Sequence, residues 1–329
     1  MNTFGTKLRV TTYGESHGLA VGGIIDGCPS GIRLDLDAIK TDLARRRQGA
    51  LRQEEDEIEW LSGLKDGVTL GTPIAFTIRN KNTRSEDYDQ LVDCYRPGHA
   101  DYTYQQKYSI RDHRGGGRAS ARETVVRVVA GAIAKQIIAP IEIQAFSEGE
   151  RLKVKGETNE PLSDTFGGIV SCRITGLPAG VGEPIFNKLN AQLASAMMSI
   201  PSAIGFEMGI GFAAASMKGS EYIDRWNDCL SQDAPATQTI KQSNNLAITK
   251  TNHCGGIQGG ISNGMPVEFR VAFHPVVTLP QPVECLTTDG KLRTLQVTGR
   301  HDRCQVPRAA VVVEAMAAMV IADYLLDNR

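Results

Sequence analysis

What the sequence lacks narrows its function first. It has no surplus of either charge, with 36 Lys and Arg against 37 Asp and Glu and a net charge of −1. A global positive field for nucleic acid or an anionic membrane is therefore missing, and any anion site has to be a local concentration. Its seven cysteines, Cys28, Cys94, Cys172, Cys229, Cys254, Cys285 and Cys304, fall at long irregular intervals without a C-x-x-C pair. That excludes the common zinc and dithiol patterns and predicts free, reduced thiols. No window approaches the ~18 apolar residues of a bilayer span. Met1-Asn2-Thr3-Phe4-Gly5 lacks the charged-then-apolar order of a targeting segment, so a cytoplasmic location is expected, with no membrane and no nucleic acid as partner.

What is present suits a packed globular chain. The 329 residues are 41% hydrophobic and 22% charged, a balance that predicts a solid interior. The length allows one large domain or two joined halves; no boundary is evident, which favours a single domain over 1–329. Strand-like runs occur at Leu8–Thr12, Gly22–Ile25, Ile74–Ile78, Gly168–Ile174 and Val267–Phe273. A helix with an acidic start at Asp35 closes on Arg45-Arg46-Arg47, the charge order that suits its dipole. Longer apolar helices are predicted over about Ser120–Ile138 and Pro307–Leu326. Without strict βαβ alternation or a repeat, a layered α/β (α+β) fold with largely antiparallel sheets fits better than a Rossmann domain or a barrel. The polar stretch from Asp228 to Asn245 reads as a surface loop.

Five segments could carry chemistry. Gly14-Glu15-Ser16-His17-Gly18 follows a strand, where His17 is suited to general acid work near neutral pH. In Tyr95-Arg96-Pro97-Gly98-His99-Ala100-Asp101, a turn presents His99 with Asp101 close by. Gly115-Gly116-Gly117-Arg118-Ala119-Ser120-Ala121-Arg122 feeds a helix start with arginines in reach, an anion site that is not a Walker loop. The glycine-dense run through Gly259-Gly260 admits a flat ligand, or equally a tight bulge. Gly299-Arg300-His301-Asp302-Arg303 sets a cation, an imidazole and a carboxylate in one loop, which a salt-bridged helix entry would also explain.

In this order the segments resemble the chorismate synthase family across nearly the whole chain, with the closest matches at Gly14–Gly18, Asp26-Gly27-Cys28-Pro29, Arg96–Tyr102 and Ser120-Ala121-Arg122-Glu123-Thr124. The resemblance implies a homotetramer whose subunits are β-α-β sandwiches with central helices. It also implies an anti 1,4-elimination of phosphate from 5-enolpyruvylshikimate 3-phosphate, dependent on reduced FMN without net redox change. By matching positions, His17 would protonate the departing phosphate and His99 would sit at the flavin pyrimidine edge. Asp302 and Ser16 would support proton removal at flavin N5. Arg47 and Arg122, with Arg46 as a weaker match, would grip the substrate. Arg118, Ala119, Ser120, Gly259, Gly260, His274, Thr278 and Arg300 match flavin-binding positions. Whether NADPH or a separate reductase reduces the flavin is left open, and no metal is implied.

The chain departs from the family pattern in places. The basic loop after Arg47 is short and runs into Glu54-Glu55-Asp56-Glu57, and the stretch between Phe146 and Phe166 is several tens of residues short of its relatives. His274 stands where relatives often have lysine, and Arg303 where they usually have proline. A flavin-independent phosphatase or phosphotransferase using the Gly115–Arg122 site, and a binding protein that has kept the fold without turnover, are the alternatives.

Overall fold

The computed structural model describes residues 1–48, 54–148, 164–227, 248–279, 281–296 and 302–327. The expected loop from Asp228 to Asn245, most of the shortened stretch after Phe146, and Arg300 lie outside the described residues.

Two antiparallel sheets face each other across a layer of helices. The first has the order β1-β2-β3-β7-β4, built from Thr3–Phe4, Arg9–Tyr13, Ala20–Asp26, Ile74–Arg79 and Ile58–Trp60 respectively. The second has the order β11-β14-β10-β9, from Ala203–Met208, Val267–Phe273, Gly168–Thr175 and Glu142–Glu148. Side chains alternate across a strand, so Val267, Phe269, Val271 and Phe273 of β14 all face inward and are buried. Cys172 of β10 pairs with Phe269 and with Ala145 of β9.

Between the sheets lie α3 (Thr124–Ile137) and α6 (Val306–Asp327), which pack on each other; α3 touches β2 and β3, and α6 touches β9 and β10. α1 (Leu36–Arg47) and α4 (Leu189–Met198) flank this pair. The helices α3 and α6 meet at Gly131, where an added side-chain carbon would lie 2.2 Å from Cβ of Ala315. Only glycine permits that approach. Glu314, 3% exposed, is the carboxylate in the middle of α6. It accepts from Arg45 (both Nη, 2.7 Å), Lys135 (2.7 Å) and the Ala145 amide (2.9 Å), joining α1, α3, α6 and β9.

Smaller elements form one edge. The strands β8 (Cys94–Tyr95), β15 (Val283–Thr287) and β16 (Leu292–Leu295) make a three-stranded sheet against a 3-10 helix at Ser85–Leu91, with Leu91, Cys94 and Cys285 as its core. α2 (Asp101–Tyr108) follows β8. The two-stranded pairs β5/β6 (Leu64–Lys65, Val68–Thr69) and β12/β13 (Ile257–Gln258, Ile261–Ser262) and the short helix α5 (Gly219–Tyr222) complete the described elements used below.

Two expectations change. α3 starts at Thr124 because Ser120 caps a tighter turn first, its hydroxyl accepting from the Arg122 amide at 3.3 Å ahead of a 3-10 segment at Ala121–Glu123. The expected absence of any bilayer-length apolar window also fails, since α6 is long and apolar enough to cross a membrane by length and composition. Its residues from Val306 to Ala322 are largely buried between the sheets instead, the environment that suits a helix apolar all round.

Candidate active site

Four of the five motif loops meet at one cavity of about 690 Å³, within the range of small-molecule and cofactor sites. Glu15 and Gly18 come from the loop between β2 and β3, Gly115 to Ala121 from the approach to α3, and Asp302 from the approach to α6. His99, Arg118, Ala119, Ser120, His274 and Thr278 all line it.

The glycine run shapes one wall. Gly115, Gly116 and Gly117 all have left-handed φ, +61°, +80° and +52°, a region that residues with a Cβ seldom occupy. The Ser16 hydroxyl donates to the Gly115 carbonyl at 2.9 Å, and the Ser16 amide donates to the Gly117 carbonyl at 3.4 Å. Ser16 is thus buried and holds the wall. His17 stands one layer behind it. A side-chain carbon on Gly115 would lie 2.1 Å from Cδ2 and 2.4 Å from Nε2 of His17. The opposite nitrogen, Nδ1, is 3.1 Å from the Ser85 hydroxyl, and the Tyr88 ring meets the imidazole edge-on at 5.0 Å.

His99 lies on the opposite side of the motif set. Its Nδ1 is 3.1 Å from the Pro97 carbonyl and its Nε2 is 2.8 Å from the Thr278 hydroxyl. A carbonyl can only accept, so Nδ1 carries a proton, and Thr278 meets Nε2 in either charge state. His274 bonds through Nδ1 to the Pro275 carbonyl at 2.6 Å. Asp302 is ion-paired with Arg308.

Four arginines line the cavity. Arg96 is forked onto Asp101 at 2.8 and 2.9 Å, and Arg114 onto Asp112 at 2.8 and 2.7 Å. Burial pushes the Asp101 carboxyl up, but the Arg96 guanidinium and the Arg96 amide outweigh it and hold the carboxyl below its usual range. Arg111 and Arg118 donate to backbone carbonyls instead, Arg111 to Leu91 and Cys94 (2.6 Å each) and Arg118 to Gly14 and Thr12 (3.2 Å each). Among the described residues neither has a contacting carboxylate, so their charge favours an anion in the cavity.

The expected substrate arginines sit deeper. Arg122 is 7% exposed and donates to Asn80 (2.9 Å), Glu54 (3.1 Å) and Asp56. Asn80 in turn donates to the carbonyls of Glu15 (3.0 Å) and Gly18 (2.8 Å), so the Arg122 cluster braces the His17 loop from below. Arg47 donates to the Glu54 carbonyl at 2.8 Å. Arg46 donates to the Thr124 hydroxyl (2.9 Å) and the Ala121 carbonyl (2.7 Å). Burial, opposed by Asp56 and reinforced by the like charges of Arg122 and Arg308, lowers the Arg46 pKa to about 10. With Arg308, Arg46 lines a small cavity of about 30 Å³ that shares Ala121, Pro201 and Gln305 with the large one.

Gly259 and Gly260 are not brought to this cavity. They turn the β12–β13 hairpin, and the Gly260 carbonyl accepts from the Leu189 amide at 2.9 Å at the start of α4. Sequence reading missed Asn80, Ser85, Tyr88, Tyr104 and Gln305. The spacing of Tyr104 three residues after Asp101 on α2 could have flagged it; the others show no motif.

Comparison with known proteins places the whole chain in one family. The chorismate synthase family profile matches residues 8–161 and 149–326, two stretches that meet where the chain was expected to be short. The chain is 47% identical to the chorismate synthase of Flavobacterium psychrophilum over 364 aligned positions, covering 100% of this chain and 98% of that protein. It is 45% identical to that of Porphyromonas gingivalis over 368 positions, covering 100% and 96%. A crystal structure of chorismate synthase superposes with a TM-score of 0.72 at 30% identity, covering 99% of this chain and 93% of that one. With the motif loops gathered on one cavity and the likeness running end to end, this chain belongs to the chorismate synthase family.

Proposed function

We propose that this chain, a lyase by family, eliminates phosphate from 5-enolpyruvylshikimate 3-phosphate to give chorismate, with reduced FMN needed and no net redox change. The observation that carries the reading is the single cavity that joins a glycine wall backed by His17, the bridged imidazole of His99, Asp302 and an arginine-rich lining. A flavin fits the residues present. The cavity is large enough, the side-chain-free Gly115–Gly117 wall and Val276–Val277 offer flat faces, and His99 with Thr278 offers polar contacts for a ring edge. Reduced flavin bound there would supply the electron density that the elimination requires.

The chain's own residues then bind, orient and move protons. Arg111 and Arg118 attract the phosphate and carboxylates of the substrate, Arg46 supports it from the deeper layer, and Arg47 stands behind on the Glu54 carbonyl. His17 gives the proton on Nε2 to the departing phosphate. His99 balances negative charge at its edge of the cavity through the ring held by Pro97 and Thr278. Asp302, steadied by Arg308, is the proton acceptor on the far wall, and Ser16 serves by holding Gly115. Arg122 acts through Asn80 on the His17 loop. Homotetramer assembly, a cytoplasmic setting and NADPH as an external reductant belong to the same reading.

The test is phosphate release under anaerobic conditions with reduced FMN, oxidised FMN or no flavin. Release only with reduced FMN is expected, together with the absorbance of chorismate. Equal release in all three would identify a phosphatase, and no release in any would identify a binding protein that kept the fold.

A further inference from the structure

His17 is held on three sides. Gly115 lies beside the edge that carries Cδ2 and Nε2, which its missing side chain leaves open, and the Tyr88 ring stands against the imidazole at 78°. Tyr88 is itself covered by the Arg96 guanidinium, 5.8 Å from its centroid, which Asp101 fixes by two hydrogen bonds. The third side is Ser85, whose hydroxyl lies 3.1 Å from Nδ1. Ser85 opens the 3-10 helix that ends in the small Leu91–Cys94–Cys285 core, so its position is set in part by packing away from the cavity.

An imidazolium that gives up one proton becomes a neutral ring that keeps the other, and a hydrogen-bond acceptor at one nitrogen biases the remaining proton to that nitrogen. We propose that Ser85 is a positioning residue for His17, its hydroxyl accepting the Nδ1–H so that Nε2, on the Gly115 side, is the nitrogen that exchanges a proton. The inference rests on the reading of His17 as the phosphate's proton donor. Before the elimination both nitrogens of His17 bear protons. The Nε2 proton passes to a phosphate oxygen as the carbon–oxygen bond breaks, and the neutral ring remains in its Nδ1–H form on Ser85. A hydroxyl suits this task because it neither adds charge beside the imidazolium nor competes for its proton, as a carboxylate would.

The test uses the full chain labelled with nitrogen-15, with the His17 resonances assigned by their loss in His17→Ala. In the wild type the neutral ring is expected in its Nδ1–H form; in Ser85→Ala it should revert to the Nε2–H form that free imidazoles favour. The kcat of Ser85→Ala should fall about tenfold or more, a share of what a positioned acid contributes, with the substrate KM unchanged. Ser85→Thr, which keeps the hydroxyl, should restore both. A Ser85→Ala variant with wild-type tautomer and wild-type kcat overturns the proposal. If it loses thermal stability, Ser85→Thr and the tautomer decide the matter. A His17→Ala variant at full speed would overturn the proton-donor reading itself, which separates the two failures.

Discussion

Gly115 shows how closely the site is fitted around one side chain. Its φ of +61° costs a residue with a Cβ about 1–2 kcal/mol in backbone strain, and the methyl of an alanine would stand where the His17 ring lies. We expect Gly115→Ala to displace the imidazole and reduce turnover by about 10²-fold or more, the contribution of a positioned acid. Steady-state kinetics beside a thermal melt measures this, and a variant with native kcat would show that His17 has no fixed place in the reaction. The glycines and His17 were legible in the sequence because their types are unusual at that spacing. Ser85 was not, since it meets His17 across 68 residues and a lone serine carries no pattern. Arg122 was legible as a cation, but its partners were not: Glu54 and Asp56 meet it from more than 60 residues away in the chain.

Among the elements, strands that alternate cleanly were readable, as β7 and β14 show with inward Ile74, Phe76, Ile78 and Val267 to Phe273. β9 and β11 were not. The β9 sequence Glu142–Glu148 has charges at both ends and the half-exposed Ala145 at its centre, and β11 needs a register shift near Gly205 to pair with β14. α6 was readable as a helix from its apolar content, yet the role of Glu314 within it was hidden until Arg45, Lys135 and Ala145 were in place. Burial alone would raise the Glu314 carboxyl, but Arg45 and Lys135 hold it below its usual range. Glu314→Ala leaves the partly exposed Arg45 and Lys135 and the Ala145 amide without their shared buried anion, and should lower stability by about 1–3 kcal/mol. Urea unfolding followed by circular dichroism would check it. A loss below 1 kcal/mol would mean that Asp42, which also contacts Arg45 and Lys135, suffices alone.

For the molecule as a whole, the near-zero net charge read from composition coexists with a cavity whose arginines are locally concentrated. The two-sheet sandwich followed from the strand runs and the family likeness, whereas which loops share a cavity depended on tertiary contacts. The same contacts set the response to acid. Burial pushes the Asp224 carboxyl up, but the Thr251 hydroxyl and the amides of Cys254 and His253 outweigh it and lower it from 3.8 to about 2. Asp101 and Glu314 are depressed in the same direction. A carboxylate depressed in the folded state contributes stability that is complete above its unfolded value and is lost as pH falls through its folded one. The melting temperature should therefore hold down to the region of 3.8 and decline from there toward about 2. Asp224→Asn should remove part of that decline, and a melt-against-pH series on both proteins would show it.

The position of α6 between the two sheets also bears on how the chain reaches this state. Arg45 closes on Glu314 across 269 residues, and Asp323 takes the amides of Thr6, Lys7 and Leu8 from more than 300 residues away. The second sheet cannot shelter its inner face until that distant helix arrives, so acquisition of the native core should be slow, as it is for topologies ruled by remote pairings. In a cell, the waiting intermediate would display a bare apolar β-surface, an obvious client for a chaperone that sequesters unfinished chains.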